Sequence, residues 1–312
     1  MQYALKFIAS MPRFAGDPAK WLAALRRIEA HGFDTVSVSH HVVHGWQLGL
    51  VAAMAFAAAS TTRLRVLSLV GQNDLQHPAL LAKDIATIDA LSGGRVELGI
   101  GAGWQPADYH ALGLEFESAE VRMRRLAEAL EVLRLYFTED EVDFTGEHYR
   151  VNGMEALPRC VQADGPPVLV GAGGPRMLEL AGRSAAMVGV HARLPRGRID
   201  RNVVAELGAA SIAAKIDRVR AAARSAGRPP PELQFSCYHV RVTDAPARCG
   251  PRSSWAELVE SEDDVLADSP AVLVGTAAEC AARLREWRDR LGITYWHLGA
   301  DAETASRILE HV

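Results

Sequence analysis

"DPAKWLAALRRIEAHGFDTVSVSHHVVHGW", residues 17–46, contains a helix, its stop, a strand and a polar loop within thirty residues. Asp17 before Pro18 makes an N-cap and first-turn pair. Trp21, Leu25 and Ile28 then fall on one helical face, and Gly32 ends the helix just before the β-alternating "FDTVSV". The same phrasing returns near the other end, in "TAAECAARLREWRDRLGITYWHLG" at 276–299. There "TAAE" is a capping box, Cys280, Leu284, Trp287 and Leu291 form a stripe, and Gly292 stops the helix before a strand. Between these stretches, Met123, Leu126, Leu130, Leu133 and Phe137 step by three and four.

Eight strands are predicted, at 3–9, 35–38, 64–70, 95–100, 167–170, 186–190, 233–240 and 293–298, with helical segments between most of them. Eight β/α alternations without a break in composition predict a TIM (β/α)8 barrel and a single domain over 1–312. Two stretches fall outside the cadence and are read as insertions at the C-terminal face of the strands. Residues 139–165 have the pattern of a hairpin, and 241–270 are a polar excursion.

Bulk composition narrows the function classes. The 312 residues are 49% hydrophobic and 23% charged, the profile of a globular protein with a sizeable core. A net charge of −4 gives no reason to expect nucleic acid or an anionic membrane as partner. The longest apolar run, 48–59, covers 12 residues, against the roughly 20 a membrane span needs. "MQYALKFIAS" reads as a first strand and lacks a signal-peptide layout, so a cytoplasmic location is expected. Cys160, Cys237, Cys249 and Cys280 are scattered, without a CxxC pair, which speaks against zinc ribbons and disulfide frameworks.

A βα barrel places its active site on the loops after the strands. Those loops are "SHHVVHGW", "GQNDLQHP", "GAGWQPADY", "GAGGPRM" and the stretch from His191 into "ARLPRGR", and they are expected to converge on one mouth. In "VLVGAGGPRM" a strand opens into Gly171, Gly173 and Gly174, and a helix starts near Pro175. Outward backbone N–H groups and a helix N-terminus suit a phosphate, with Arg176 as an added donor. The plainer alternative is a tight turn with glycine caps. The pattern GxGGxR is not the dinucleotide fingerprint GxGxxG, and His191 stands where a ribose-binding acid belongs, which weakens a Rossmann reading.

His40, His41 and His44 pose a choice between metal site, catalytic group and polar loop. His40 and His41 are adjacent on an extended segment and point to opposite sides. No carboxylate or thiolate lies close in sequence, so Asp74 or Asp108 would have to be recruited; no metal site is expected. A histidine facing the mouth as proton donor or hydrogen-bond partner is the better reading, with His44 a loop residue.

"HPALLAKDIATIDALSGGRVELGIGAGW" at 77–104, "VLVGAGGPRM", "FTGEHY" at 144–149 and the stretch 269–299 together resemble the luciferase-like monooxygenase superfamily, in its actinobacterial branch of coenzyme F420-dependent oxidoreductases. The resemblance implies a TIM barrel and a cofactor phosphate held by Gly171, Ala172, Gly173 and Gly174. It also implies a bulge with a non-prolyl cis peptide at the positions matching Gly71, Gln72 and Asn73, and a ring bordered by Gly103 and Trp104. Arg176 and His191 complete the expected cofactor-binding set. His41 matches the family's usual histidine and is the expected catalytic residue. His40, also expected at the cofactor, replaces an acid, which implies that a carboxylate is lost there.

Coenzyme F420 is favoured over flavin mononucleotide because Arg193, Arg196, Arg198 and Arg201 could pair with its anionic tail. The expected reaction is hydride transfer to or from a small apolar organic substrate, with Trp46, Trp104, Tyr109, Phe144 and Tyr149 as candidate pocket aromatics. A flavin-dependent monooxygenase and a non-catalytic barrel that binds a cofactor or partner are the alternatives, and the resemblance implies a homodimer.

Overall fold

The computed structural model describes residues 4–43, 45, 48–193, 201–244, 268–299 and 301–312. His44, Trp46, Arg196, Arg198, Cys249 and positions 245–267 of the predicted second insertion lie outside the described residues, as does the side chain of Arg201.

The strands are β1 (Lys6–Ser10), β2 (Thr35–Val38), β3 (Arg65–Ser68), β4 (Gly71–Gln72), β5 (Val96–Gly101), β6 (Glu141–Thr145), β7 (Arg150–Glu155), β8 (Val168–Ala172), β9 (Met187–Val190), β10 (Glu232–Cys237), β11 (His239–Val242), β12 (Val272–Gly275) and β13 (Ile293–Leu298). The helices are α1 (Pro18–Ala30), α2 (Leu50–Ser60), α3 (Pro78–Ser92), α4 (Pro106–Ala111), α5 (Ala119–Thr138), α6 (Pro175–Ser184), α7 (Arg201–Ala205), α8 (Ala209–Ser225), α9 (Ala277–Leu291) and α10 (Ala302–Leu309). The main sheet runs β3-β2-β1-β13-β10-β9-β8-β5-β4, with β3 also paired to β5. This is the connectivity of the TIM (β/α)8 barrel that the cadence predicts. No described helix is long and apolar enough to cross a membrane.

Local signals behave as their chemistry requires. Asp17 Oδ1 accepts from the N–H groups of Ala19 and Lys20, and Trp21, Leu25 and Ile28 are buried. The Thr276/Glu279 capping box forms, and the α9 stripe through Cys280, Leu284, Trp287 and Leu291 is buried. Gly32 and Gly292 end their helices with φ of 85° and 76°, a left-handed geometry that glycine adopts without a Cβ penalty.

The chain packs as two units, residues 1–11, 26–36 and 172–312 in one, and 12–25 and 37–171 in the other. In the first, α6 lies against α8 at Gly182, where an added Cβ would stand 2.4 Å from Val219 O. In the second, β3 and β5 approach so closely that a Cβ at Gly99 would lie 1.9 Å from Ser68 O. Ser68 Oγ donates to Gly99 O and accepts from its N–H, tying the two strands. The predicted hairpin forms as antiparallel β6–β7, and Glu128 accepts from the N–H groups of Glu147, His148 and Tyr149 at its tip.

Two details differ from expectation. The strand predicted over 233–240 breaks at Tyr238, and its second half, β11, leaves to pair in parallel with β12, a strand not anticipated at all. Tyr238 N donates to Ala271 O rather than continuing the main ladder. The non-prolyl cis peptide is at Leu69–Val70, before the positions expected for it. Gly71 and Gln72 are instead extended, paired with Ile100 and Gly101.

Candidate functional site

The first cluster lies in the unit holding residues 37–171, after β2, β4 and β5. Asp108, in the first turn of α4, is wholly buried and accepts three hydrogen bonds. His41 Nδ1 is 2.7 Å from its Oδ2, Gln72 Nε2 donates to the same oxygen at 2.7 Å, and the Val42 N–H reaches Oδ1 at 2.9 Å. Burial pushes the Asp108 carboxyl up, but these donors outweigh it and hold its pKa below the usual carboxylate value. An ionised carboxylate only accepts, so the His41 proton facing it sits on Nδ1.

His40 takes the opposite tautomer. The Gln72 N–H donates to its Nδ1 at 3.1 Å, which places the ring proton on Nε2. Burial lowers the His40 pKa, and the neighbouring His41 lowers it further against the opposing pull of Asp108, so the ring is neutral near pH 7. Gln72 also donates through Nε2 to His40 O at 2.6 Å. One glutamine thus fixes both histidines, directly at His40 and through Asp108 at His41. Nε2 meets two acceptors, and Oε1 is buried without a partner among the described residues.

His40 stands where an acid is usual, yet His41 does not lack a carboxylate partner. Asp108 supplies one from another loop. It was within the sequence's reach as the sole acid in "GAGWQPADY", but an acid in a first helical turn reads first as a cap.

Gly103 and Trp104 stand close by. Gly103 has φ +80°, and a Cβ there would lie 2.0 Å from Tyr109 Oη. The Trp104 ring meets His41 edge-on, with centroids 5.5 Å apart. Tyr109 is 1% exposed, and its hydroxyl donates to Asp74 Oδ2 at 3.2 Å. It is therefore a packing residue, not an open pocket wall. Asp74 also pairs with Arg125 at 3.0 Å. Asn73 Nδ2 donates to Tyr149 Oη at 3.0 Å, while Asn73 Oδ1 is buried and unpartnered. Burial pushes the Tyr149 hydroxyl up to about 12. Phe144 lies in β6, opposite Val151 in the hairpin.

The second cluster lies in the unit holding residues 172–312. Ala172 ends β8, after Gly171, and its carbonyl accepts from the His191 N–H at 3.1 Å. A Cβ at Gly173 would meet Ala192 O at 2.7 Å and His191 Nδ1 at 2.9 Å, so only glycine fits. Gly174 is the N-cap of α6 and offers no side-chain cap to the first-turn N–H groups. Arg176 is exposed in that first turn. His191 Nδ1 is 2.7 Å from Ala192 O, a pure acceptor, which puts its proton on Nδ1 and leaves Nε2 basic. Burial lowers the His191 pKa.

Arg193, expected among the basic groups for an anionic tail, is engaged by Glu206, with Nε to Oε1 at 2.7 Å. Glu206 also accepts from Lys215 at 2.7 Å, and Lys215 donates to His191 O at 2.9 Å. Burial raises the Glu206 carboxyl, but its three donors bring it below the usual value. This network braces the carbonyl of His191 in place of offering open cations. Among the described residues, Glu128, Glu147 and His148 are close enough together to hold a metal ion, but the Glu128 carboxylate is filled by backbone donors.

A model of the luciferase-like monooxygenase family matches residues 3–249. An F420-dependent glucose-6-phosphate dehydrogenase of Nocardia farcinica is 35% identical over 188 residues, 58% of this chain and 54% of that one. The chain thus spans about half the length of the curated relatives it matches first. A 5,10-methylenetetrahydromethanopterin reductase of Methanolobus tindarius is 24% identical over 270 residues, covering 85% and 74%. Among solved structures, an F420-dependent secondary alcohol dehydrogenase in complex with an F420–acetone adduct superposes with a TM-score of 0.76 at 20% identity, covering 99% and 98%, a likeness of fold.

Proposed function

Since the chain belongs to the luciferase-like monooxygenase family, we propose that it is a coenzyme F420-dependent oxidoreductase moving a hydride to or from a small apolar organic substrate. The observation that carries this reading is the His41–Asp108 pair, set beside the buried, unpartnered Gln72 Oε1 and Asn73 Oδ1. Buried acceptors left open are costly unless a ligand donor meets them, and a flavin-type pyrimidine ring carries N–H donors. The glycine-only turn at Gly173 and the uncapped first turn of α6 fit a phosphate. The residues present therefore fit the group.

Gln72, Asn73, Gly103 and Trp104 are assigned to the ring, and Gly171, Ala172, Gly173, Gly174, Arg176 and His191 to the phosphate end. When bound, the deazaflavin supplies the hydride chemistry. The protein's share is positional and protolytic. Asp108 holds the His41 ring through Nδ1, which assigns proton exchange with a substrate to Nε2. His40, neutral and locked by Gln72, orients without carrying charge. Preference for the deazaflavin over flavin mononucleotide, the alternative, is supported by the likeness to an F420-dependent dehydrogenase. The same reading extends to a homodimer working in the cytoplasm.

The test is anaerobic turnover. Protein loaded with reduced F420 is mixed with neutral carbonyl and enone compounds, and oxidation of the deazaflavin is followed optically. Turnover without oxygen, lost in His41→Ala, is expected. A strict oxygen requirement with reduced flavin would overturn the proposal in favour of a monooxygenase.

A further inference from the structure

A second polar set lies at the C-terminal ends of β1, β10 and β13. Tyr295 Oη meets Thr35 Oγ1 at 2.5 Å, reaching from β13 to β2 past the intervening β1. Tyr295 therefore points to the sheet's inner face, and by strand alternation so does His297. Ile8 and Ser236 are the register partners of His297 on its two sides, so Ser10 and Ser236 share that face.

His297 Nε2 is 2.9 Å from Ser10 Oγ. Among the described residues Nδ1 has no partner. Ser236 Oγ accepts from Gln234 Nε2 at 3.3 Å and so keeps its own hydrogen to donate. Among the described residues of these strands, the charged groups on this face, Lys6 and Glu232, pair with each other at the opposite end. Burial pushes the His297 pKa down to about 4, so the ring is neutral near pH 7.

We propose that His297, backed by Ser10 and flanked by Ser236, is an uncharged subsite that binds the oxygen of a neutral carbonyl or alcohol substrate. The chemistry is that of a reversible donor. When Ser10 donates to Nε2, the ring presents Nδ1–H, which suits a carbonyl oxygen. When Nε2–H donates to Ser10, Nδ1 presents a lone pair, which suits a hydroxyl hydrogen. The hydroxyl of Ser10 rotates to serve either case, so both partners of a carbonyl/alcohol couple are held without any change of charge. Among the described residues of this set a phosphate or carboxylate finds no cation, and burying an unpaired anion is strongly unfavourable. The inference deepens the proposed function by naming the substrate class, and it rests on that reading for its redox context.

The test uses 15N-histidine-labelled full-length protein, wild type and Ser10→Ala, with the His297 signals identified by their loss in His297→Gln. Cyclohexanone, cyclohexanol and glucose 6-phosphate are the probes, added with and without F420. At pH 7 the wild-type ring is expected to be neutral, to move towards the Nδ1–H tautomer with cyclohexanone and the opposite way with cyclohexanol, and to ignore the phosphate ester. Ser10→Ala is expected to weaken cyclohexanone binding about tenfold, as loss of a supporting hydrogen bond would, while leaving F420 affinity unchanged. An imidazolium at pH 7, a response to glucose 6-phosphate alone, or no response to either neutral probe would overturn the proposal. A tautomer response without F420 binding would overturn the cofactor reading and leave the subsite standing.

Discussion

Replacing Asp108 by asparagine keeps the shape of the side chain but exchanges one acceptor oxygen for a donor. Three donors converge on that carboxylate: two on Oδ2, from His41 and Gln72, and one on Oδ1, from Val42. With the amide nitrogen in the place of Oδ1, the Val42 N–H is left facing another donor. With it in the place of Oδ2, Gln72 loses its acceptor and His41 must give up its Nδ1 proton. Either way one buried donor is stranded, at about 1–3 kcal/mol, and the surviving bonds lose their charge assistance. We expect Asp108→Asn to lower stability by about 2–3 kcal/mol and Tm by roughly 5 °C for a chain of this size. Turnover should fall by more than stability explains, because the His41 tautomer is no longer fixed.

The pH dependence gives the sign. The folded pKa of Asp108 lies below its unfolded value, so its contribution is present above about pH 3.9 and lost as pH falls through the folded pKa. Thermal unfolding of both proteins at pH 7 and near pH 3 should show a gap that narrows in acid. A gap that is absent at pH 7, or unchanged between the two conditions, would mean that these hydrogen bonds do not stabilise the ionised Asp108 in the fold.

Three further outcomes follow from the same geometry. A Cβ at Gly174 meets nothing nearer than Arg193 Cδ at 3.7 Å, unlike Gly173, so Gly174→Asp should fold normally yet bind F420 at least tenfold more weakly; unchanged affinity by titration would remove the turn from the phosphate site. Gly103→Ala places a methyl 2.0 Å from Tyr109 Oη at φ +80° and should cost about 2 kcal/mol or more in denaturant melts, partly recovered in the double variant with Tyr109→Phe. His297, neutral when folded, with a pKa of about 4, should make the fold lose up to about 3 kcal/mol as pH falls from 6.5 to 4; in His297→Gln that part of the pH slope should vanish.

Much of the fold is legible in local chemistry, because helix caps, apolar stripes and glycine stops act within a few residues of themselves. The strands at 35–38 and 293–298 are bounded by such signals and match β2 and β13. β12 was not legible. Its four residues, Val272–Gly275, resemble any short apolar run, and only the departure of β11 from the main ladder gives them a partner. The site divides the same way. The glycine turn announces itself, since Gly173 must tolerate a carbonyl and a histidine where a Cβ would be. The joining of His41 to Asp108 depends on two loops meeting across 67 positions, which no spacing rule supplies. The unpartnered Gln72 Oε1 is likewise a property of packing, not of residue type.

We propose that this barrel holds a deazaflavin. The most direct test is a pair of tryptophan-quenching titrations of the purified protein, one with coenzyme F420 and one with flavin mononucleotide. Saturable binding of F420 at least tenfold tighter than that of the flavin, weakened in Gly174→Asp, is expected. Binding of the flavin alone, or of neither, would contradict it.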